Sequence, residues 1–318
     1  MAINRIQFQK GLSMPEFQAR YGSEAQCLTA LETTRWPEGF HCPACGCEAH
    51  RKFERRHHQW WQCADCGRQT TVTAGTMMNH SKLSLRTWFL AIYLVTQAKN
   101  AISSLELMRA LGVGYRAAWN LHRKLRQGMV EAESERRFGG RVEIDDAYLG
   151  GELPGAKPGR GSPNKVPFVA AVKTHEGTPV AVRFDPVPDF TMASLTEWAK
   201  KALRPDAHVV SDGLKSFAAV LDVGRSHEAI VAGPGKKGAQ HPSFKWVNTL
   251  LGNLKTSLGG THHSFGFRKY AQQYLGAAAW RFNRRSDLAA MVSDLANTLM
   301  RVAPCPARVS AKSAGTWA

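Results

Sequence analysis

Two aspartates, an asparagine and a lysine form the clearest chemical pattern in this sequence. Asp145 lies within one predicted β-strand, and Asp212 ends another, where an apolar run gives way to an acid and a glycine. If these strands are neighbours, the two carboxylates can share divalent cations, an arrangement suited to phosphodiester chemistry. Asn248 and Lys255 are two turns apart on a predicted helix, so they share a face and can complete the site. The alternative for each acid alone is an ordinary strand-end carboxylate, and the joint spacing favours a site.

Four cysteines form a second pattern, which is typical of structural zinc. Cys42 with Cys45, and Cys63 with Cys66, make two CxxC pairs, and each pair is followed by a glycine that permits a tight turn. Two such turns supply four thiolates in a tetrahedron, the geometry that zinc prefers. Cys47 is left over as a spare thiol. Because protein fills all four positions, the zinc is predicted to be structural rather than catalytic.

The composition favours an acidic polymer as partner. The chain has 318 residues, with 42 Lys and Arg against 25 Asp and Glu, which gives a formal net charge of +17. Nucleic acid is the commonest partner of so basic a protein, and the alternative is a basic protein without one. No apolar run approaches the roughly 18–20 residues of a membrane span, and the start lacks a signal-peptide pattern. We therefore expect a cytoplasmic protein, in which clustered cysteines favour metal over disulfides.

The order of predicted elements indicates an α/β protein of several domains. From residue 141 onward, three strands in succession precede a helix, a strand and another helix, which is the order of an RNase H-like core. Two further helical stretches are predicted at about 244–258 and 267–300. The predicted boundaries are 1–35 for a helical lead-in, 36–78 for a zinc ribbon, 79–130 for a helix-turn-helix-like region, 141–300 for the RNase H-like domain and 301–318 for a loose tail.

A helix, a glycine turn and a basic helix between residues 102 and 126 have the outline of a helix-turn-helix DNA-binding motif. The alternative is an ordinary helical hairpin. The side chains predicted to contact DNA are Arg116, Asn120, Arg123 and Lys124. Three later residues are predicted to form a phosphate-binding face: Arg281, Arg284 and Arg285.

Three segments of the core, together with the zinc ribbon, resemble a known family. They are Val142–Gly151, Val209–Gly213 and Trp246–Leu250, the last followed by Lys255. The pattern is similar to bacterial insertion-sequence transposases of the DDE type, in particular to the ISXO2-like group, which carries a zinc ribbon ahead of its catalytic domain. That group has Asn and a following Lys where most of the superfamily has Glu. The resemblance extends from the ribbon to about residue 290.

The resemblance implies an enzyme that binds transposon-end DNA and catalyses metal-dependent hydrolysis and strand transfer. Its catalytic residues would be Asp145, Asp212, Asn248 and Lys255, with the two aspartates holding two Mg²⁺ ions, for which Mn²⁺ could substitute. Its partners would be the DNA of the transposon ends and of the target, and the pairing of two ends implies a homo-oligomer at the bacterial nucleoid. Two alternatives stay open: a DNA-binding regulator without catalysis, and an RNase H-like nuclease that cuts without joining.

Two acids beside Asp145 receive separate predictions. Asn248 offers a cation only a neutral carbonyl oxygen, so a second ion should be held weakly. Glu143 lies two residues before Asp145 on the same strand face and could supply the missing charge. The alternative is a salt bridge from Glu143 to Arg141 or another base. Asp146 is predicted to point to the opposite face and is left outside the site.

Overall fold

The computed structural model describes residues 6, 8–56, 58–151, 162–231, 241–262 and 265–305. Contacts within the chain separate two units: one contains Met1–Gly128 and Asp287–Pro306, and the other contains Met129–Ser286. The predicted tail at 301–318 lies outside the described residues from residue 306 onward. No described helix is both long enough and apolar enough to cross a membrane.

The first unit begins with two short helices and a small antiparallel sheet. Helices α1 (Met14–Tyr21) and α2 (Glu24–Arg35) each start at a serine that exchanges hydrogen bonds with the third residue of its helix, a capping box. Strands β1 (His50–Arg55), β2 (His58–Cys63) and β3 (Gln69–Thr70) follow, in the order β1-β2-β3. These strands lie within the predicted zinc ribbon.

Three helices follow the ribbon. They are α3 (Leu85–Gln97), α4 (Ser104–Leu111) and α5 (Tyr115–Ser134). Gly112 ends α4 with a φ of 64°, a left-handed conformation that costs other residues more than glycine. The predicted helix, glycine turn and helix are therefore present. Helix α5 contains Gly128, the residue at which the first stretch of the first unit ends.

The second unit is built on a five-stranded mixed sheet. Its strands are β4 (Phe138–Leu149), β5 (Val166–His175), β6 (Thr178–Pro186), β7 (Leu203–Ser211) and β8 (Ser226–Ala229). The order across the sheet is β6-β5-β4-β7-β8. β5 pairs antiparallel with β4 and with β6, whereas β7 pairs parallel with β4 and with β8. Three antiparallel strands followed by two parallel ones match the predicted RNase H-like arrangement and confirm the α/β class.

Helices cover both faces of this sheet. One face packs against α6 (Met192–Ala202) and a 3₁₀ helix (Lys215–Val223), and the other packs against α7 (Lys245–His262) and α8 (Phe267–Asn283). Alternate apolar residues of the central strands enter the two cores, because successive side chains of a strand point to opposite faces. A carboxylate on a central strand therefore lies between two layers of apolar side chains, one on each face of the sheet.

The last described helix belongs to the first unit. The sequence predicts a helical stretch over 267–300, and the structure divides it: α8 ends at Asn283, and α9 (Met291–Arg301) is separate. Between them, the side chain of Asp287 accepts a backbone N–H at 3.0 Å, a local bond that competes with helical pairing. Helix α9 packs against α2 and α3 and buries an apolar face made of Met291, Leu295 and Leu299. Residues 287–300, which the sequence grouped with the catalytic domain, therefore pack elsewhere.

Candidate functional site

Three carboxylates meet beside the end of strand β7. Asp145 and Asp146 lie on β4, and Asp212 follows the last residue of β7. These strands are parallel, and their register pairs Ile144 with Ser211, so Asp145 and Asp212 occupy adjacent positions. One carboxylate oxygen of each aspartate lies within 4.8 Å of the others. The structure thus brings together the two acids that the sequence selected and adds a third.

The prediction that Asp146 lies outside this acidic cluster (Asp145, Asp146 and Asp212) is wrong. Successive side chains of a strand point to opposite faces of the sheet. This separation holds as long as a neighbouring strand runs along each side of the strand. The pairing of β4 with β7 ends at Ile144, so Asp146 stands beside a strand that has already ended. Its carboxylate can turn into the same opening as that of Asp145.

Burial and mutual repulsion set the electrostatics of the acidic cluster. The pKa of Asp145 is raised to about 7, first by burial and then by the charges of Asp146 and Asp212. The backbone N–H of Asp146 and the ammonium group of Lys255 act in the opposite direction. Oδ1 of Asp212 accepts the N–H of Leu214 at 3.1 Å. Three acids this close favour a cation, because a divalent charge removes their repulsion.

Helix α7 carries the two predicted polar partners of the acids. Asn248 is half-buried, and Lys255 is exposed. The influence of Lys255 on the pKa of Asp145 shows that its ammonium group lies within electrostatic range of the acidic cluster. Asn248 lies two turns earlier on the same helix face. The adjacent face of α7 is buried against the sheet by Val247, Leu250, Leu251, Leu254 and Leu258.

Glu143 is buried under the start of helix α7. Its side chain is 3% exposed, and burial is the main cause that raises its pKa. The backbone N–H groups of Trp246 and Val247 donate to its Oε2 atom, each at 3.1 Å. The sequence offered a role as extra charge at the cation site or as an ion-pair partner of Arg141 or another base. The hydrogen bonds place this carboxylate on backbone amides of α7, and the charge of Arg141 also acts to lower its pKa.

The four predicted zinc ligands converge in the first unit. The sulfur atoms of Cys42, Cys45, Cys63 and Cys66 all lie within 4.8 Å of one another, and two pairs are separated by 3.5 Å. Bonds of about 2.3 Å to a tetrahedral zinc ion would place sulfurs roughly 3.8 Å apart, so the cluster fits this metal. The thiol of Cys47 instead points to the carbonyl of a neighbouring residue at 3.7 Å.

Backbone amides stabilise two thiolates of this cysteine cluster (Cys42, Cys45, Cys63 and Cys66), whereas neighbouring thiols raise the pKa of Cys45 and Cys66. The N–H of Cys66 is the largest cause that lowers the pKa of Cys63, to about 6. The N–H groups of Ala44 and Cys45 lower the pKa of Cys42 in the same way. A thiolate is the form that binds zinc, and N–H donors aimed at sulfur stabilise it. The tight turns of the CxxC pairs supply these donors locally.

Two family models match the chain over the segments that hold these clusters. Residues 137–283 match the ISXO2-like transposase domain, and residues 22–69 match the transposase zinc-ribbon domain. The chain therefore carries an ISXO2-like transposase domain preceded by a transposase zinc-ribbon domain. It is also 30% identical over 135 residues to an uncharacterized protein in transposable element ISH50 of Halobacterium salinarum. That alignment covers 42% of this chain and 44% of the relative, so the match spans less than half of either.

The residues predicted to contact DNA lie on helix α5. Arg116 is exposed on the first turn of α5, and Asn120 is half-buried. The predictions for Arg123 and Lys124 are wrong, because both side chains are directed into the first unit. Arg123 is 4% exposed and donates to the carbonyl of Cys305 at 3.3 Å, and Lys124 donates to the carbonyl of Met77 at 2.8 Å. Basic composition alone did not reveal which face of α5 is covered.

The predicted phosphate-binding arginines of the transposase domain also face other groups of the protein. Arg284 pairs with the buried carboxylate of Glu133. Arg285 donates to backbone carbonyls of β6, and burial lowers the pKa of Arg281 to about 10. Arg284 and Arg285 therefore hold the end of α8 against neighbouring elements and do not form a phosphate-binding face.

Sequence reasoning missed the two residues that organise this network. Glu133 accepts from Arg136 at 2.6 Å and from Asn283 at 2.7 Å, besides Arg284. The amide of Asn283 also accepts the N–H of Val182 at 2.8 Å and donates to the carbonyl of the same residue at 3.0 Å. It thus satisfies both backbone groups of an edge-strand residue, as a neighbouring strand would. Only the fold could show this, because the partners are far apart in sequence.

Proposed function

We propose that this protein is an insertion-sequence transposase, which binds transposon-end DNA and catalyses hydrolysis and strand transfer with divalent cations. The observation that carries this proposal is the acidic cluster: three carboxylates within 4.8 Å of one another, inside the segment that matches the transposase domain. A cluster of like charges shared between two neighbouring strands serves no packing purpose. It is suited to holding cations.

The chemistry of the ligands fits Mg²⁺ or Mn²⁺. Carboxylate oxygens are hard ligands, which such ions prefer to sulfur or imidazole. We infer that Asp145 and Asp212 hold the cations, that Asp146 contributes a further oxygen, and that Asn248 offers a neutral carbonyl. When bound, the ions polarise phosphodiester oxygens and stabilise the charge that develops on them.

Lys255 is proposed to bind the phosphate of the DNA. Its exposed ammonium group lies within electrostatic range of the acidic cluster, so a phosphate held there would stand beside the cations. Lysine suits this task as a compact charge on a flexible stem. The charge also keeps Asp145 more acidic than burial alone would allow.

DNA binding is proposed for the first unit. The family match to a transposase zinc ribbon, the net charge of +17 and the exposed Arg116 at the start of α5 support this. Two transposon ends must be brought together for transposition, so we expect a homo-oligomer on paired ends. An enzyme of this kind would act at the nucleoid.

The decisive experiment compares cleavage and joining by wild-type protein and Asp212→Ala. Labelled DNA carrying the repeats that flank the gene is incubated with a target plasmid and with Mg²⁺, Mn²⁺ or no divalent ion. We expect joined product from the wild type and a loss of at least about a thousandfold in the variant, because a metal-holding carboxylate is removed. DNA binding should persist in both.

A matched control is Asp222→Ala, which removes an exposed aspartate outside the acidic cluster in the same unit. It should keep wild-type activity. Cleavage without joined product would favour a nuclease instead of a transposase. Binding without any cleavage under either ion would favour the regulator. Full activity in Asp212→Ala would refute the assignment of the acidic cluster.

A further inference from the structure

Glu143 joins central strand β4 to helix α7. Its side chain is 3% exposed, and its Oε2 atom accepts the backbone N–H groups of Trp246 and Val247, each at 3.1 Å. Both N–H groups belong to the first turn of α7, where the amides of a helix have no carbonyl partner within it. The helix dipole also favours a negative charge at this end. The contact therefore fixes the start of α7 against β4.

Each end of this contact lies next to one half of the candidate site. One half is the acidic cluster, and the other is the pair of polar residues on α7. Glu143 is two residues before Asp145, and Val247 immediately precedes Asn248. Lys255 lies two turns further along the same face of α7. A strand and a helix are each rigid over such short distances. The bonds of Glu143 therefore set the distance and the rotation of the helix-borne groups relative to the acidic cluster.

The same turn of α7 has a second anchor. The indole N–H of Trp246 donates to the carbonyl of Gly177 at 2.7 Å, in the turn between β5 and β6. This bond holds the helix start at the end of the β5–β6 hairpin. Glu143 holds it to the strand that carries Asp145, so the two contacts constrain different directions of movement.

We propose that Glu143 is a positioning residue for the catalytic site, which orients helix α7 and does not itself bind the catalytic cation. This inference rests on the proposed function, since it concerns the alignment of the two halves of that site. It replaces the role of added charge at the cation site. The two roles differ in what they require: positioning needs an acceptor oxygen at this point, whereas cation binding needs a negative charge.

Two substitutions separate these requirements. Glu143→Gln keeps an acceptor oxygen in place and removes the charge, whereas Glu143→Ala removes both. The matched control is Glu24→Ala. Glu24, at an exposed position, accepts the N–H groups of Leu85 and Arg86 at the start of α3, at 2.8 and 2.9 Å. It therefore also binds the first amides of a helix, and that helix carries none of the proposed catalytic residues.

The experiment uses the full chain and three measurements. Amide hydrogen exchange reports the protection of the first turn of α7. Calorimetric titration with Mn²⁺ reports the acidic cluster without any reaction. Strand transfer at saturating DNA reports the alignment of the site, and Lys255→Ala is combined with each Glu143 variant to test whether the two residues act through each other.

We expect Glu143→Ala to lose protection at the start of α7 and to slow strand transfer by roughly 10- to 100-fold, the scale of a small misplacement of catalytic groups. Glu143→Gln should keep most of the protection and most of the rate. Both variants should bind Mn²⁺ as the wild type does. The loss from Glu143→Ala should shrink in the Lys255→Ala background, and Glu24→Ala should loosen α3 alone.

Three outcomes would overturn the proposal. They are a loss of Mn²⁺ affinity in Glu143→Gln, an equal loss of rate in both variants, and unchanged exchange at α7 in Glu143→Ala. If the alanine variant does not fold, Glu143→Asp takes its place, because its shorter side chain draws the carboxylate back from α7. A wild-type protein without strand transfer would contradict the proposed function, and the exchange and Mn²⁺ measurements would still decide whether Glu143 orients α7.

Discussion

The cysteine cluster and the acidic cluster each bring candidate metal ligands together, yet the local backbone contributes to them differently. In both, the candidate ligand atoms lie within 4.8 Å of one another. The cysteines come from two short turns whose own amides lower the pKa of Cys63 and Cys42. The acids come from two strands, and they raise the pKa of Asp145 by repulsion added to burial. Local N–H groups thus stabilise two thiolates of the first site, although neighbouring thiols raise the pKa of Cys45 and Cys66. In the second site, burial and repulsion destabilise the ionised form of Asp145 until a cation enters.

This difference predicts opposite consequences of losing a metal. Zinc should hold the ribbon folded, because the short strands of that sheet cannot form a sizeable core of their own. The divalent cation of the acidic cluster should instead serve chemistry on a unit that already has two apolar layers. Substitutions in the two clusters can test this contrast.

The largest effect is expected from Cys63→Ser. It removes one of four zinc ligands, and structural zinc contributes on the order of 10 kcal/mol to the folding of small zinc domains. Elemental analysis should show loss of zinc, and hydrogen exchange should show an unfolded ribbon. The control is Cys47→Ser, which changes the spare thiol of the same ribbon. If Cys47→Ser lost zinc to the same extent, the ligand assignment would be wrong.

A smaller effect of opposite sign is expected from Asp145→Asn. In the folded protein the pKa of Asp145 is raised from 3.8 to about 7, so ionisation opposes folding. This cost is fully present above pH 7, and it vanishes as the pH falls to about 4. Without divalent ions at pH 8, the substitution should increase the free energy of unfolding by roughly 1–3 kcal/mol while abolishing activity.

Urea denaturation at pH 8 and pH 4 checks the sign of the Asp145→Asn effect. Asp222→Asn, at an exposed position of the same unit, should change stability at neither pH. A destabilising effect of Asp145→Asn at pH 8 would mean that burial and repulsion of the ionised carboxylate do not destabilise the folded protein. The contrast with the cysteine cluster would then be wrong.

The pH dependence of Mn²⁺ binding gives the next effect. Because the pKa of Asp145 is about 7 without a cation, binding must displace a proton at lower pH. The affinity should fall by about tenfold per pH unit below pH 7 and level off above it. Zinc content should stay constant from pH 8 to pH 7. Calorimetric titration between pH 5.5 and 8 measures the slope, and a flat profile would count against the pKa shift.

The smallest effect is expected from Asp146→Asn. Asp146 raises the pKa of Asp145 and offers one oxygen to the acidic cluster. Its substitution should weaken Mn²⁺ binding by about three- to tenfold and leave DNA binding unchanged. It should also move the pH profile of Mn²⁺ binding to lower pH, because one repelling charge is gone. Unchanged Mn²⁺ affinity would remove Asp146 from the ligands.

The sequence by itself determined the features that depend on neighbours along the chain. Two CxxC pairs identify four zinc ligands, because a two-residue spacer and a glycine are enough to shape each turn. Asp145 and Asp212 stood out because one lies within a predicted strand and the other ends an apolar run of strand character. The order of strands and helices also indicated the mixed sheet that the structure contains.

Tertiary structure decided which side chains reach the site and which do not. Asp146 joins the acidic cluster because β7 ends beside it. Glu143 meets amides that lie 103 and 104 residues later in the chain. Arg123 and Lys124 turn inward because other parts of the first unit cover that face of α5. In each case the deciding partner comes from a segment that is distant along the chain. Periodicity and spacing in the sequence describe only residues that are close along the chain.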